Sequence, residues 1–110
     1  MALYMFMASY TPEAGKTIME TDTNREEAAR KAIEAAGGKL LGFYGLVGQE
    51  FHVALICEVP SVGDYIGIVT ATTLGGAISK FKSIPMYNMD DMNVARSAYA
   101  KVKSAYKPPS

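Results

Sequence analysis

His52 is the only histidine in the chain, and its side chain is the one best suited to acid–base chemistry near neutral pH. It stands directly after a predicted turn, where its imidazole could act as a general base or as a ligand. Cys57, the only cysteine, has the opposite parity on the same predicted strand, so the two side chains are expected on opposite faces. The residues therefore predict no Cys–His pair. They leave His52 as either an acid/base group or, the interpretation we favour, a structural residue.

Tyrosine is unusually frequent for a chain of 110 residues, with seven copies. Tyrosine side chains can line a pocket for an organic ligand, and they also serve at oligomer interfaces. Tyr4 and Tyr10 share one face of the first predicted strand, and Tyr44 lies in the second. These three are the candidate ligand-binding residues, with packing as the competing explanation.

Other groups of residues have simple structural explanations. The Met86, Met89 and Met92 thioethers could bind Cu(I), but methionine also fills irregular cores. Asp90 and Asp91 favour the positive end of a helix, which explains them without a cation. No glycine-rich segment carries the lysine of a phosphate-binding loop, and the formal net charge is +0. We expect no metal, no cofactor and no nucleic-acid partner.

Length and hydropathy indicate one globular domain over residues 1–110. The apolar segment 2–8 lacks the basic lead and cleavage site of a signal peptide. The longest apolar stretch, 53–78, is interrupted by polar residues and Pro60, so no membrane-spanning helix is expected. A single cysteine excludes an internal disulfide and fits a cytoplasmic location.

Apolar periodicity and capping residues indicate the helices and strands that position the candidate site residues. Thr23 with Glu26 has the spacing of a capping box, and Gly37-Gly38 ends the helix that follows. The segment 61–76 is rich in β-branched residues, but its apolar spacing favours a helix capped by Ser61. Asn88 caps a last helix over about 89–107. The predicted strands are 2–10, 39–47, 51–59 and 77–87, and the segment 13–22 is interpreted as a connection.

This order of elements predicts a ferredoxin-like α+β fold, βαββαβ, with an antiparallel sheet and an added C-terminal helix. The first strand places Leu3, Met5 and Met7 on one face and aromatic residues on the other, so neither face is polar. Two helices cover only one face of the sheet. Either the last helix or a second copy of the sheet must cover the other, and we favour the second copy. A homodimer or larger homo-oligomer is therefore expected.

The hairpin from Gly42 to Pro60, together with the segment 26–40, resembles the GYD-domain family, which is named for a Gly-x-Tyr-Asp turn before the third strand. Gly48 matches the glycine of that motif, whereas Phe51 stands in place of its tyrosine and His52 in place of its aspartate. The resemblance covers residues 2–92. It implies a ferredoxin-like fold and α/β-barrel-type oligomers, and it implies no particular reaction.

Two functions from different classes follow from these observations. The first is a non-catalytic oligomeric module that binds a small organic ligand or a protein partner. The second is a cofactor-independent isomerase or oxygenase, in which His52 is the acid/base group and Tyr4 or Tyr44 orients the substrate. The catalytic alternative requires His52 to open into a pocket. Fold alone does not distinguish the two.

Overall fold

The structure, a computed structural model, describes residues 1–109 and shows an α+β chain with a four-stranded antiparallel sheet and four helices. Most predicted elements are confirmed within a few residues. The elements are β1 (Ala2–Tyr10), α1 (Pro12–Glu20), α2 (Arg25–Ala35), β2 (Lys39–Gly45), β3 (Val53–Val59), α3 (Val62–Leu74), β4 (Ile78–Met86) and α4 (Met89–Ala105).

The strand order in the sheet is β2-β3-β1-β4, so β1 lies in the interior between β3 and β4. Met5 shows the register, because it pairs with Ile56 on one side and with Ile84 on the other. The register shifts between Leu40 and Gly42 where β2 pairs with β3. Paired residues share a face of the sheet, so this register fixes which side chains lie together on each side.

The hydrophobic core lies on the sheet face that α2 and α3 cover. Tyr4, Phe6 and Ala8 are buried there, as the alternation along β1 predicts. Tyr65 of α3 stacks on Tyr4 with 3.9 Å between ring centroids. Ile33 of α2 is 1% exposed and belongs to the same cluster. The helices therefore cover the aromatic face of β1.

The opposite sheet face, which we call the open face, carries apolar side chains that α2 and α3 do not cover. Its central row is Met5, Ile56 and Ile84, and all three are partly exposed. Leu3 and Met7 flank that row on β1. The expectation that neither sheet face is polar is thus confirmed along β1.

Helix α4 projects from the end of β4 and buries none of its residues. The Asn88 side chain accepts a hydrogen bond from the Asp91 backbone N–H, and Asp91 accepts one from the Asn88 N–H, which confirms the predicted cap. Apolar α4 side chains such as Tyr99 (64% exposed) stay in solvent. The longest dimension is therefore 59 Å. Along the described residues, no helix has both the length and the hydropathy needed to cross a bilayer.

Residues 13–20 of the segment 13–22 are helical, so its interpretation as a connection was wrong over those residues. Thr11 caps α1 by accepting a hydrogen bond from the Ala14 N–H at 3.1 Å, and Pro12 occupies the first turn. Gly15 lowers the helix propensity of the segment, so the helix start at Thr11 and Pro12 was not recognised in the sequence. Helix α1 has nine residues, fewer than the other three helices, so its apolar spacing extends over fewer turns and gave a weaker signal in the sequence.

Smaller corrections concern element ends. Asn24 caps α2 instead of Thr23, because Asn24 Oδ1 accepts from the Glu27 N–H at 3.0 Å. Asn24 and Glu27 have the same spacing as the predicted pair, one residue later. Strand β3 begins at Val53, so Phe51 and His52 lie in the loop before it. Helix α4 ends at Ala105, two residues before the predicted end.

Candidate ligand-binding site

A cavity of about 430 Å³ lies between α2, α3 and the helix-covered face of the sheet. Phe6 of β1 and Val53 of β3 line it from the sheet, and Ile68 and Val69 line it from α3. Its size and apolar walls are typical of sites for small organic molecules.

The cavity exists because short side chains face each other across the two helices. Helix α2 contributes Ala28, Ala29 and Ala32, and α3 contributes Ala71. These are the α2 residues that the sequence places on one apolar helical face. An alanine face fills little of the space above a sheet, so a gap that is partly open to solvent remains between the two helices. Small residues at these positions therefore produce the cavity.

The topology gives the cavity two chemically different ends. At one end lie Tyr10, at the C-terminal end of β1, and Arg25, the first residue of α2. At the other end lie Ile33, Cys57 and Tyr65, which belong to the buried core cluster. One end is therefore polar and the other apolar.

Two polar side chains in the wall already have partners within the chain. Tyr65 Oη donates to Ser83 Oγ at 2.7 Å, and Thr72 Oγ1 donates to the Ile68 carbonyl at 2.8 Å. Tyr10 uses its backbone N–H in a hydrogen bond to His52, and its hydroxyl has no partner among residues 1–109. The Tyr10 hydroxyl is thus available to a molecule in the cavity.

The three predicted ligand-binding tyrosines do not come together. Tyr10 lines the cavity. Tyr4 lies beneath Tyr65 in the core and is 9% exposed. Tyr44 is exposed and lies over Gly42 on the open face, since a Cβ at Gly42 would come within 2.7 Å of the Tyr44 ring. Only Tyr10 is placed to contact a ligand in the cavity.

His52 lies beside the polar end of the cavity without lining it. Its side-chain Nδ1 accepts a hydrogen bond from the Tyr10 backbone N–H at 3.1 Å. The His52 backbone N–H donates to the Ala8 carbonyl at 2.9 Å. Accepting the hydrogen bond from Tyr10 requires the tautomer with its proton on Nε2. The imidazole also stacks near the Tyr10 ring, at 6.2 Å between centroids. In this arrangement His52 holds the end of β1 in place.

Cys57 is a buried thiol in the apolar end of the cavity, as its sequence context suggested. Burial raises its pKa from 9.0 to about 11, because the thiolate loses its hydration there. Burial also raises the pKa of Tyr65, and the hydrogen bond to Ser83 partly offsets that rise. Both groups are therefore neutral near pH 7, and Cys57 is not an activated nucleophile.

The raised pKa of Cys57 predicts a loss of stability in alkaline solution. Between pH 9 and about pH 11 the folded chain keeps a proton that the unfolded chain releases, so the free energy of unfolding falls as pH rises. Urea unfolding from pH 8 to pH 11 should show this slope, and Cys57→Ala should reduce it. An identical slope in both proteins would contradict the assignment.

Metal-binding chemistry finds little support in the arrangement of side chains. Across the described residues, no three His, Cys, Asp or Glu side chains are grouped closely enough to hold an ion. Asp91 is engaged in the α4 cap.

Arg25 and the alanine face of α2 are the site features that sequence reasoning missed. Arg25 was one charged residue among several on α2, and nothing in its spacing marked it. The alanines carried a usable signal, because a helix whose apolar face is mostly alanine leaves volume that larger side chains would fill. Sequence alone does not give the distance between α2 and α3, on which that volume depends.

Comparison with known proteins agrees with the resemblance of the hairpin and the first predicted helix to the GYD-domain family. Among curated proteins, no match is found. The family model of the GYD domain matches residues 4–95 of the 110-residue chain, a range that includes every cavity-lining residue. The protein belongs to the GYD domain family.

Proposed function

We propose that this protein is a small-ligand-binding module that holds an organic molecule in the cavity between α2, α3 and the sheet. The observation that carries the proposal is the 430 Å³ volume with apolar walls, produced by facing alanines. Part of this apolar wall, including Ala28, Ala32 and Ala71, is exposed to solvent in the free protein, and an apolar ligand would remove it from water. The single cysteine of the chain, Cys57, is buried with a raised pKa, which supports binding over chemistry at a thiolate.

The framework of this module is, in our proposal, a ferredoxin-like fold with two additions. The strand order β2-β3-β1-β4 supports this assignment, as do the positions of α2 between β1 and β2 and of α3 between β3 and β4. The additions are α1, which is inserted before α2, and α4 at the C-terminal end. In this fold α2 and α3 share one face of the sheet, which is where the cavity lies.

We further propose that the module works as a homodimer, in which the open faces of two sheets stack. The row of Met5, Ile56 and Ile84 supports this, because three adjacent apolar side chains on three strands stay partly exposed in one chain. Helix α4 buries none of its own residues, so it does not cover the open face. A dimer would leave both cavities accessible, because they lie on the opposite side of each sheet.

Filling the cavity should abolish ligand binding. Ala29→Phe places an aromatic ring in the space between α2 and α3, so an apolar probe that binds the native protein should lose at least about tenfold in affinity. Fluorescence titration with 1-anilinonaphthalene-8-sulfonate measures the effect. Ala100→Phe, an exposed substitution on α4, is the matched control and should bind as the native protein does. Equal affinity in all three proteins would contradict the proposal.

A catalytic role for His52, as a cofactor-independent isomerase or oxygenase, requires the imidazole to reach a bound substrate. His52 is absent from the cavity wall, and Nδ1 is occupied by the Tyr10 N–H. The geometry therefore favours the binding module. His52→Ala should leave the affinity for an apolar probe within about twofold, since no wall atom is removed.

A further inference from the structure

We infer that the ligand of this cavity is an amphipathic monocarboxylate, whose carboxylate binds Arg25 and whose apolar part extends toward Ile33 and Cys57. This inference rests on the proposed function and specifies its ligand class. It depends on three properties of the cavity: its single charge, the free hydroxyl beside that charge, and the apolar opposite end.

Arg25 is the only charged residue among those that line the cavity. Its neighbours on α2, Glu26 and Glu27, direct their carboxylates to Arg30, at 3.2 and 3.0 Å. Within residues 1–109 no ion pair includes Arg25. The guanidinium is therefore a cation at an apolar cavity without an acidic partner of its own.

The position of Arg25 at the first turn of α2 adds to this argument. The N-terminal end of a helix carries partial positive charge, so a cation there is unfavourable and an anion is favourable. A carboxylate bound to Arg25 would interact favourably with the guanidinium and with the N-terminal end of α2. The planar guanidinium also matches a carboxylate in geometry, because two parallel N–H groups can donate to its two oxygens.

Tyr10 provides a second polar contact at the same end. Its side chain lines the cavity, and its hydroxyl has no hydrogen-bond partner in the described part of the chain. A phenol hydroxyl can donate to a carboxylate oxygen. Arg25 and Tyr10 thus present donors at one end of the cavity, where the headgroup of an amphipathic acid would lie.

The opposite end is suited to an apolar tail. Cys57 and Ile33 are each 1% exposed, and the Tyr65 hydroxyl is already bonded to Ser83. No charged residue lines that end. A ligand with charges at both ends would leave one charge buried without a partner, which is costly. This excludes dicarboxylates and zwitterions as good ligands and favours an alkyl or aryl monocarboxylate.

Isothermal titration with two probes of equal chain length tests the inference. The probes are decanoate and 1-decanol, which differ in the charge of the headgroup. Native protein should bind decanoate at least about tenfold more tightly than 1-decanol, because Arg25 can donate charge-assisted hydrogen bonds to the carboxylate, and these are stronger than hydrogen bonds to a neutral hydroxyl. Arg25→Gln should remove that difference and retain 1-decanol binding. Arg96→Gln, on α4 and outside the cavity, is the matched control and should bind both probes as the native protein does.

The outcomes separate this inference from the proposed function. Equal affinity of the native protein for both probes overturns the carboxylate assignment and leaves the cavity as a binding site. Unchanged decanoate preference in Arg25→Gln overturns the role of Arg25 in the same way. Failure of both probes to bind the native protein contradicts the proposed function and the inference together.

Discussion

Gly38→Ala is expected to lower the free energy of unfolding by about 3 kcal/mol, since overpacking a filled core forces backbone and side chains apart. A Cβ at Gly38 would lie 2.6 Å from the Glu58 carbonyl oxygen and 2.8 Å from Val59 Cγ1. The oxygen belongs to the backbone of β3, so it moves only if the strand moves. Val59 is fully buried. Urea unfolding followed by circular dichroism measures the change.

The matched control is Gly67→Ala, in the middle of α3. A Cβ there meets nothing within 4 Å, so alanine should raise the free energy of unfolding by roughly 0.5–1 kcal/mol through its higher helix propensity. A decrease in the free energy of unfolding for Gly38→Ala and an increase for Gly67→Ala would show that the turn between α2 and β2 packs closely against β3 at Gly38. A Gly38→Ala protein as stable as the native one would contradict the packing described here.

Met5→Glu is expected to convert the proposed dimer into a monomer. Met5 lies at the centre of the open face between Ile56 and Ile84, and a carboxylate there would be buried without a partner in stacked sheets. The dissociation constant should rise at least about thirtyfold, the effect of losing a central interface residue. Analytical ultracentrifugation at micromolar concentrations measures it, with circular dichroism to confirm the fold.

Val47→Glu is the control for this substitution, because it adds the same charge at a position that is 93% exposed, in the loop after β2. It should remain a dimer. A native protein that sediments as a monomer at the same concentration would contradict the proposed stacking of open faces. The ligand-binding cavity would survive that result, because it lies within one chain.

The fold was largely accessible from the sequence because strong periodic signals agree with local capping. Helix α3 is the instructive example: its β-branched residues favour a strand, yet the spacing of Val62, Tyr65, Ile66 and Val69 predicted the helix that forms. Ser61 supports that helix by accepting from the Asp64 N–H. Tertiary packing of Tyr65 outweighs the propensity of its neighbours.

The candidate site was harder to predict from the sequence than the fold, because it depends on distances between helices and strands. Tyr10 was predicted as a ligand contact from its strand face, and that face borders the cavity. Tyr4 has the same parity, yet α3 places Tyr65 directly on it. Parity alone does not distinguish these two positions. The contribution of Arg25 becomes visible only when α2 is placed over the sheet, so that its first residue lines the same cavity as Tyr10.

The central claim, that an organic ligand occupies the cavity between α2, α3 and the sheet, is tested most directly by nuclear Overhauser effects between bound decanoate and protein methyl groups. Contacts are expected from the alkyl chain to the methyl groups of Ile33, Val53 and Val69. Contacts to Ile56 and Ile84 on the open face instead, or no intermolecular contacts in a sample that binds the probe, would contradict it.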